Sequence, residues 1–167
     1  RLADHLLVLQ AGKIVESGDL NSVLARLGQY QWMQEQVGVV LQGQVVAHLG
    51  DWQLDQINCY GTKLLLANTR GEVGDNIRIR ILAKDVSISR DQQVQSSIVN
   101  RIACRVEAFE STRASTNVQL QLAIESNDKV SKSAYLLATI TRYSLEQLNL
   151  QIGDLVYAQI KAVSIVS

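Results

Sequence analysis

The 167 residues carry sixteen basic and sixteen acidic side chains, so no net field draws the chain to nucleic acid or to an anionic membrane, and any anion it holds must be held by local geometry. With 47% apolar residues the chain can fill one ordinary core or two small ones, yet no apolar run approaches the roughly eighteen residues that span a bilayer. Two distant cysteines, Cys59 and Cys104, and two isolated histidines, His5 and His48, match no metal-ligand or redox spacing; no metal site is expected, and the cysteines read as buried free thiols of a reducing compartment.

Proline is absent and aromatic residues make up only 5%, while valine, isoleucine, leucine, threonine and glutamine crowd short alternating segments separated by Gly, Asn, Asp and Ser. That composition predicts a mainly β protein of short strands. At the start, HLLVL, QAG and KIVES read as two strands joined by a tight turn in which Gly12 takes a positive φ. Asp19, Asn21 or Ser22 then caps a short helix running through Leu24 toward Gly28. The stretch QYQWMQEQVG follows as a polar connector, with Trp32 and Met33 available to dock on a neighbour. Arg1 opens in mid-pattern, so a fragment of a longer protein is expected.

From Val37 the strand-like segments run in two series. The first is VGVVLQGQVVAHL, WQLDQI, TKLLLAN and NIRIRILAKDVSI; in the last of these Ile77, Ile79 and Ile81 face one side and Arg78 and Arg80 the other. The second is NRIACRVEAF, NVQLQLAI, AYLLATIT and LVYAQIKAVSI. Gly74-Asp75 answers to Gly153-Asp154, and Lys84, Val86, Ser87 and Ile88 answer to Lys161, Val163, Ser164 and Ile165, which gives a repeat of about eighty residues. Short strands of this kind hide their edges most cheaply in small, OB-like barrels of five or so strands. The expected organisation is residues 1–36 as a strand, hairpin and helix unit with its connector, 37–92 as a first barrel and 93–167 as a second, with SRDQQVQSS as the polar join.

The copies differ between their third and fourth segments. Where the first has only LANTRGEVGD, the second has TITRYSLEQLNLQIGD, read as a strand ending at Thr141 and a short helix capped by Ser144 with Gln147 as capping-box partner. Leu145, Leu148 and Leu150 are its packing residues, and Gly153 turns the chain. Hydroxyls of Thr141 and Ser144 together with the ammonium of Lys161 are donors without carboxylates among them, which suits a tetrahedral oxyanion. The plainer reading is that Ser144 only caps, Thr141 only suits a strand and Lys161 only faces solvent.

Two resemblances bear on this choice. Ala3, Asp4, Val8, Leu9, Gly12, Lys13, Ile14, Val15 and Gly18 resemble the tail of an ABC-transporter ATPase domain, although the chain has no G-x-x-x-x-G-K-[ST] loop to cradle a nucleotide. Ser97 and Asn100 in SIVN, Thr141 and Ser144 in T-x-x-S, and Tyr157, Ala158, Ile160, Lys161, Ala162 and Ser164 resemble the molybdate-binding (mop, or TOBE-type) domain, with Val37–Ser89 as a degenerate copy. In that order, the two are similar to the C-terminal regulatory region of ATP-binding subunits of molybdate importers.

The resemblance implies molybdate or tungstate as ligand, with Ser97, Thr141, Ser144, Lys161 and Ser164 as oxyanion-binding residues and Asn100, Arg101 and Arg142 in support. It also implies a homodimer and a parent that associates with a membrane permease at the cytoplasmic face of a bacterial inner membrane, with ATP and magnesium confined to an upstream domain. The fragment itself is expected to be no enzyme, since no Ser/His/Asp or paired-carboxylate constellation is present, to bind no nucleic acid and not to insert in the membrane. Val99 stands where the family carries arginine, and so removes a planar fork of donors. The alternative function is a purely structural TOBE region without ligand.

Overall fold

The computed structural model describes residues 5–10, 12–19, 36–109, 111, 113–126 and 134–166. The helix expected over residues 21–28, the docking residues Trp32 and Met33, and residues 129–133 of the long hairpin lie outside the described residues. Strands β1 (His5–Gln10) and β2 (Lys13–Asp19) form the expected hairpin, with Gln10 opposite Lys13 and Gly12 at φ 77°.

Ten further strands follow the alternating segments closely. They are β3 (Gly38–Leu49), β4 (Leu54–Cys59), β5 (Thr62–Ala67), β6 (Asn76–Leu82) and β7 (Val86–Ser89), then β8 (Asn100–Phe109), β9 (Asn117–Ile124), β10 (Tyr135–Thr141), β11 (Leu155–Ile160) and β12 (Ser164–Val166). One antiparallel sheet has the order β12-β6-β3-β4-β5 and the other β10-β9-β8-β11-β7; the second curls until β10 lies beside β7, an OB-like and nearly closed barrel. Alternation places Ile79 and Ile81 inside while Arg78 stays exposed, and Val118, Leu120 and Leu122 inside on β9. The inward faces of both sheets join in a single connected core, which also buries the free thiols of Cys59 and Cys104; burial pushes both up to about 12 and keeps them unreactive.

The repeat is reproduced bond by bond. Gly74 (φ 100°) donates its N–H to Val45 O at 2.8 Å, and Gly153 (φ 92°) to Val106 O at 2.7 Å. Val45 N–H in turn reaches Asp75 O at 2.9 Å, and Val106 N–H reaches Asp154 O at 3.0 Å. Each aspartate closes its turn by accepting an N–H three residues back, from Glu72 at 2.9 Å and from Gln151 at 3.0 Å. Both long strands carry a bulge just after these valines, at Val45/Ala47 and at Val106/Ala108. Positive φ at both glycines explains why Gly-Asp marks the turn twice.

In one respect the strands differ from the alternation. NIRIRILAKDVSI and LVYAQIKAVSI each read as one strand, but each is two. The first breaks at a 3-10 turn, Ala83–Asp85, and the second at Lys161–Val163. Buried Ala83 anchors the first break by donating its N–H to Val37 O at 2.8 Å, and Lys161 N–H anchors the second on Asp85 O at 2.8 Å. Beyond each break the chain crosses to the other sheet. Strand β7 pairs with β11 through Val86↔Ile160 and Ile88↔Ala158, while β12 pairs with β6 through Ser164↔Arg80 and Ile165↔Ile79. Ser87 and Ser164 repeat the symmetry, each hydroxyl 3.5 Å from the carbonyl opposite, of Gln159 and of Arg80.

A side chain adds a further tie between the sheets. On β8, Asn100 Oδ1 accepts the N–H of Leu65 at 2.7 Å and its Nδ2 donates to Leu65 O at 2.9 Å, so one amide satisfies the outer edge of β5 as a neighbouring strand would.

The copies part ways after β5. Register places Asp55 where the second copy has core Leu120, since each sits two residues before the partner of the bulge valine, Ile57 or Leu122. Asp55 Oδ2 accepts the hydroxyl of buried Thr69 at 2.6 Å and its N–H at 3.1 Å, and Oδ1 meets His48 Nδ1 at 2.6 Å. The Thr69 hydroxyl foremost, then His48, holds this carboxyl below the ordinary 3.8. Its stabilisation is therefore present above that value and lost as pH falls through the lower folded value.

Removing residues 164–167 is expected to expose the edge of β6 and raise amide hydrogen exchange there, eighty-odd residues away in sequence, while exchange in β9 changes least; uniform change across both sheets would contradict the exchange of strands. Asp55→Leu, which imitates the second copy, leaves the Thr69 donors without an acceptor. It should lower urea stability by about 1–3 kcal/mol at pH 7, with the deficit narrowing as pH is taken below 3.8.

Candidate functional site

The segment that only the second copy possesses folds as a six-residue helix, α1 (Arg142–Gln147). Its cap is Thr141, not Ser144. Thr141 ends β10 in an extended conformation (φ −73°, ψ 150°), and its Oγ1 accepts the N–H of Ser144 at 3.0 Å, so helical geometry starts three residues earlier than the capping-box pattern suggests. Ser144 thereby becomes the third helical residue, and its hydroxyl stands 2.9 Å from Thr141 Oγ1. Leu145 and Leu150 are buried and Leu148 packs on the core, as their spacing predicts, so the hydroxyl pair is carried on a seated element.

The far end of α1 is also held. Arg90, just beyond β7, donates from Nε to Leu148 O at 2.8 Å and from Nη2 to Asn149 O at 2.7 Å and Asp154 Oδ2 at 2.7 Å. The Gln151 N–H first, then Arg90, keep the Asp154 carboxyl below its usual range. Sequence reading passed over Arg90 because its role depends on the crossing of β7, which no local pattern announces.

The other expected site residues are distributed as follows. Lys161 is exposed and directly follows β11, beside the β7 crossing, with exposed Ala162 after it. Ser97 is exposed at the end of the join, where Ser96, not Ser97, closes the local turn by accepting Ile98 N–H at 3.1 Å. Ser164 lies in the first sheet against Arg80, in the place that Ser87 holds in the second, and its hydroxyl has a structural partner. Asn100 is committed to Leu65. Arg101 points to the opposite face, as alternation requires, where Nη2 donates to Val94 O at 2.5 Å. Arg142 stands 3.8 Å from Glu146 one turn on. The structure thus brings Thr141 and Ser144 together, sets Lys161 at the adjacent crossing, and gives Asn100, Arg101 and Ser164 bonds that build the scaffold.

In the first copy the corresponding group is absent. Thr69 is the counterpart of Thr141, each three residues beyond the strand residue paired with Asp55 or Leu120, but its hydroxyl is taken by the Asp55 carboxylate. Asn68 and Arg70, at φ 55° and 56°, turn the chain where the second copy begins its helix. Among the described residues no group of three or more His, Cys, Asp or Glu is placed to hold a metal, and no helix is long and apolar enough to cross a membrane.

Comparison with known proteins gives this geometry a family context. Residues 96–166 match the model of the TOBE domain. The chain is 37% identical over 169 residues to the molybdenum import ATP-binding protein ModC of Pseudomonas syringae pv. syringae, covering 100% of this chain and 45% of that protein. To the protein of the same name in Pseudomonas aeruginosa it is 35% identical, with the same coverage. It therefore spans somewhat less than half the length of these relatives. Among solved structures, the cytoplasmic molybdate-binding protein ModG, with molybdate bound, shares the fold with a TM-score of 0.61 at 19% identity, covering 77% of this chain and 93% of that one. Residues 96–166 thus belong to the TOBE domain family, within a chain related over its whole length to molybdenum import ATP-binding proteins.

Proposed function

We propose that this chain is the oxyanion-binding regulatory and dimerising region of a molybdate-import ATP-binding subunit. The observation that carries the reading is the hydroxyl pair of Thr141 and Ser144, 2.9 Å apart on a helix present in one copy only, in a chain whose relatives import molybdenum. Thr141, Ser144, Lys161 and Ser97 are the donors to molybdate or tungstate. Asn100, Arg101, Arg142 and Ser164 hold the strands and turns on which those donors stand.

A second copy of the chain completes the site. Val99 and Tyr143 are 63% and 72% exposed beside the donor residues, and a homodimer covers such apolar groups while supplying donors that one chain leaves apart. Bound oxyanion then favours one placement of the two chains, and so of the ATPase domains preceding them, where ATP and magnesium are held. This is linkage between two sites, with no chemical step in the chain itself. The parent works with a permease at the cytoplasmic face of the membrane.

The exposed Val99 favours a second reading, a structural TOBE region without ligand, because an apolar side chain replaces the family guanidinium. Molybdate at millimolar concentration should raise the melting temperature of the chain, with sulfate much less effective, and Lys161→Ala should abolish the rise. No shift with molybdate would overturn binding, and a shift that survives Lys161→Ala would remove Lys161 from the site.

A further inference from the structure

We infer that Arg90 is the positioning residue of this site: its guanidinium fixes α1, and with it the Thr141–Ser144 pair, to the strand that crosses over from the first repeat. The inference rests on the proposed role of those two hydroxyls and adds the device that sets their place.

Three observations converge. The Gly-Asp turn is built identically in both copies, and its own bonds need no arginine; Asp75 closes the first turn through Glu72 N–H alone, whereas Asp154 also binds Arg90. The extra partner occurs in the copy with the extra helix. Moreover, the bonds of Arg90 go to the carbonyls of Leu148 and Asn149, groups left over where a helix ends, so the arginine acts as a side-chain cap at the end of α1 opposite Thr141. Finally, Arg90 directly follows Ser89, whose partner is Tyr157, so the cap is anchored in the sheet through β7. A six-residue helix makes few bonds of its own; those given are Leu148 N–H to Ser144 O at 2.9 Å and Leu150 N–H to Leu145 O at 3.1 Å. Such a helix depends on its ends. With both held, the hydroxyls have one orientation; with one released, Ser144 moves with the turn.

A planar fork that meets two successive carbonyls and a carboxylate cannot be replaced by an ammonium, although an ammonium keeps the charge. This separates positioning from plain attraction of an anion. The experiment compares Arg90→Gln, Arg90→Lys and, as control, Arg105→Gln, whose native guanidinium reaches Gly153 O at 3.1 Å and pairs with Glu125 without touching α1. Amide exchange of Leu148 and Leu150 is read without ligand, and molybdate affinity by calorimetry on the whole chain.

Both Arg90 variants should accelerate exchange at Leu148 and Leu150 and weaken molybdate binding about tenfold, the cost of a misplaced donor pair, while Arg105→Gln changes neither. Unchanged exchange in Arg90→Gln, full affinity in Arg90→Lys, or an equal effect of Arg105→Gln overturns the inference. A wild-type chain that binds no molybdate overturns the proposed function instead, and the exchange measurement then decides on its own whether Arg90 fixes α1.

Discussion

The reciprocal crossing of β7 and β12 is the constraint on which the rest of the structure depends. Two similar halves could each have closed on themselves. Instead the chain breaks after β6 and again after β11, and the last strand of each half completes the sheet of the other. The anchors at the two breaks are single backbone bonds, from Ala83 to Val37 and from Lys161 to Asp85, and the second of them joins one crossing to the other. The single core, the Asn100 amide laid along β5 and the reach of Arg90 to α1 all presuppose that the halves are interleaved rather than strung in line.

Within that frame one copy keeps a role in architecture and the other gains chemistry. The divergence turns on one interior position. A leucine at 120 leaves the threonine after β10 free to cap a helix; an aspartate at 55 draws the equivalent threonine inward and consumes its hydroxyl. A carboxylate at that point also repels the kind of ligand that the other copy suits, so a single substitution removes a donor and adds a repulsive charge.

Strand positions were legible in the sequence almost residue by residue, because period-two burial leaves its mark in Ile77-Arg78-Ile79-Arg80-Ile81 and in Val118-Gln119-Leu120-Gln121-Leu122. The duplicated Gly-Asp was equally plain, since a positive φ repeated at equivalent turns selects glycine twice. What alternation does not encode is which sheet a strand joins: Val86-Ser87-Ile88 has the same pattern whichever partner receives it. Hence the crossing, and the parts of Arg90 and Asn100 that follow from it, became visible only in three dimensions. The T-x-x-S spacing located the hydroxyl pair correctly and misassigned the cap, since a strand-ending threonine and a helical serine three residues apart serve a cap in either direction.

The interleaving also has a consequence in time. As the chain emerges during synthesis, β6 is complete long before its neighbour β12 exists, with 84 residues separating Arg80 from Ser164. The first sheet must wait one strand short, its β6 edge open and β7 without a partner until β11 arrives. Pairings so remote in sequence bear the entropy of closing long loops before they return any stabilisation, which slows folding and favours an all-at-once transition over assembly half by half. A molecule whose two halves look like independent modules is therefore, kinetically, indivisible.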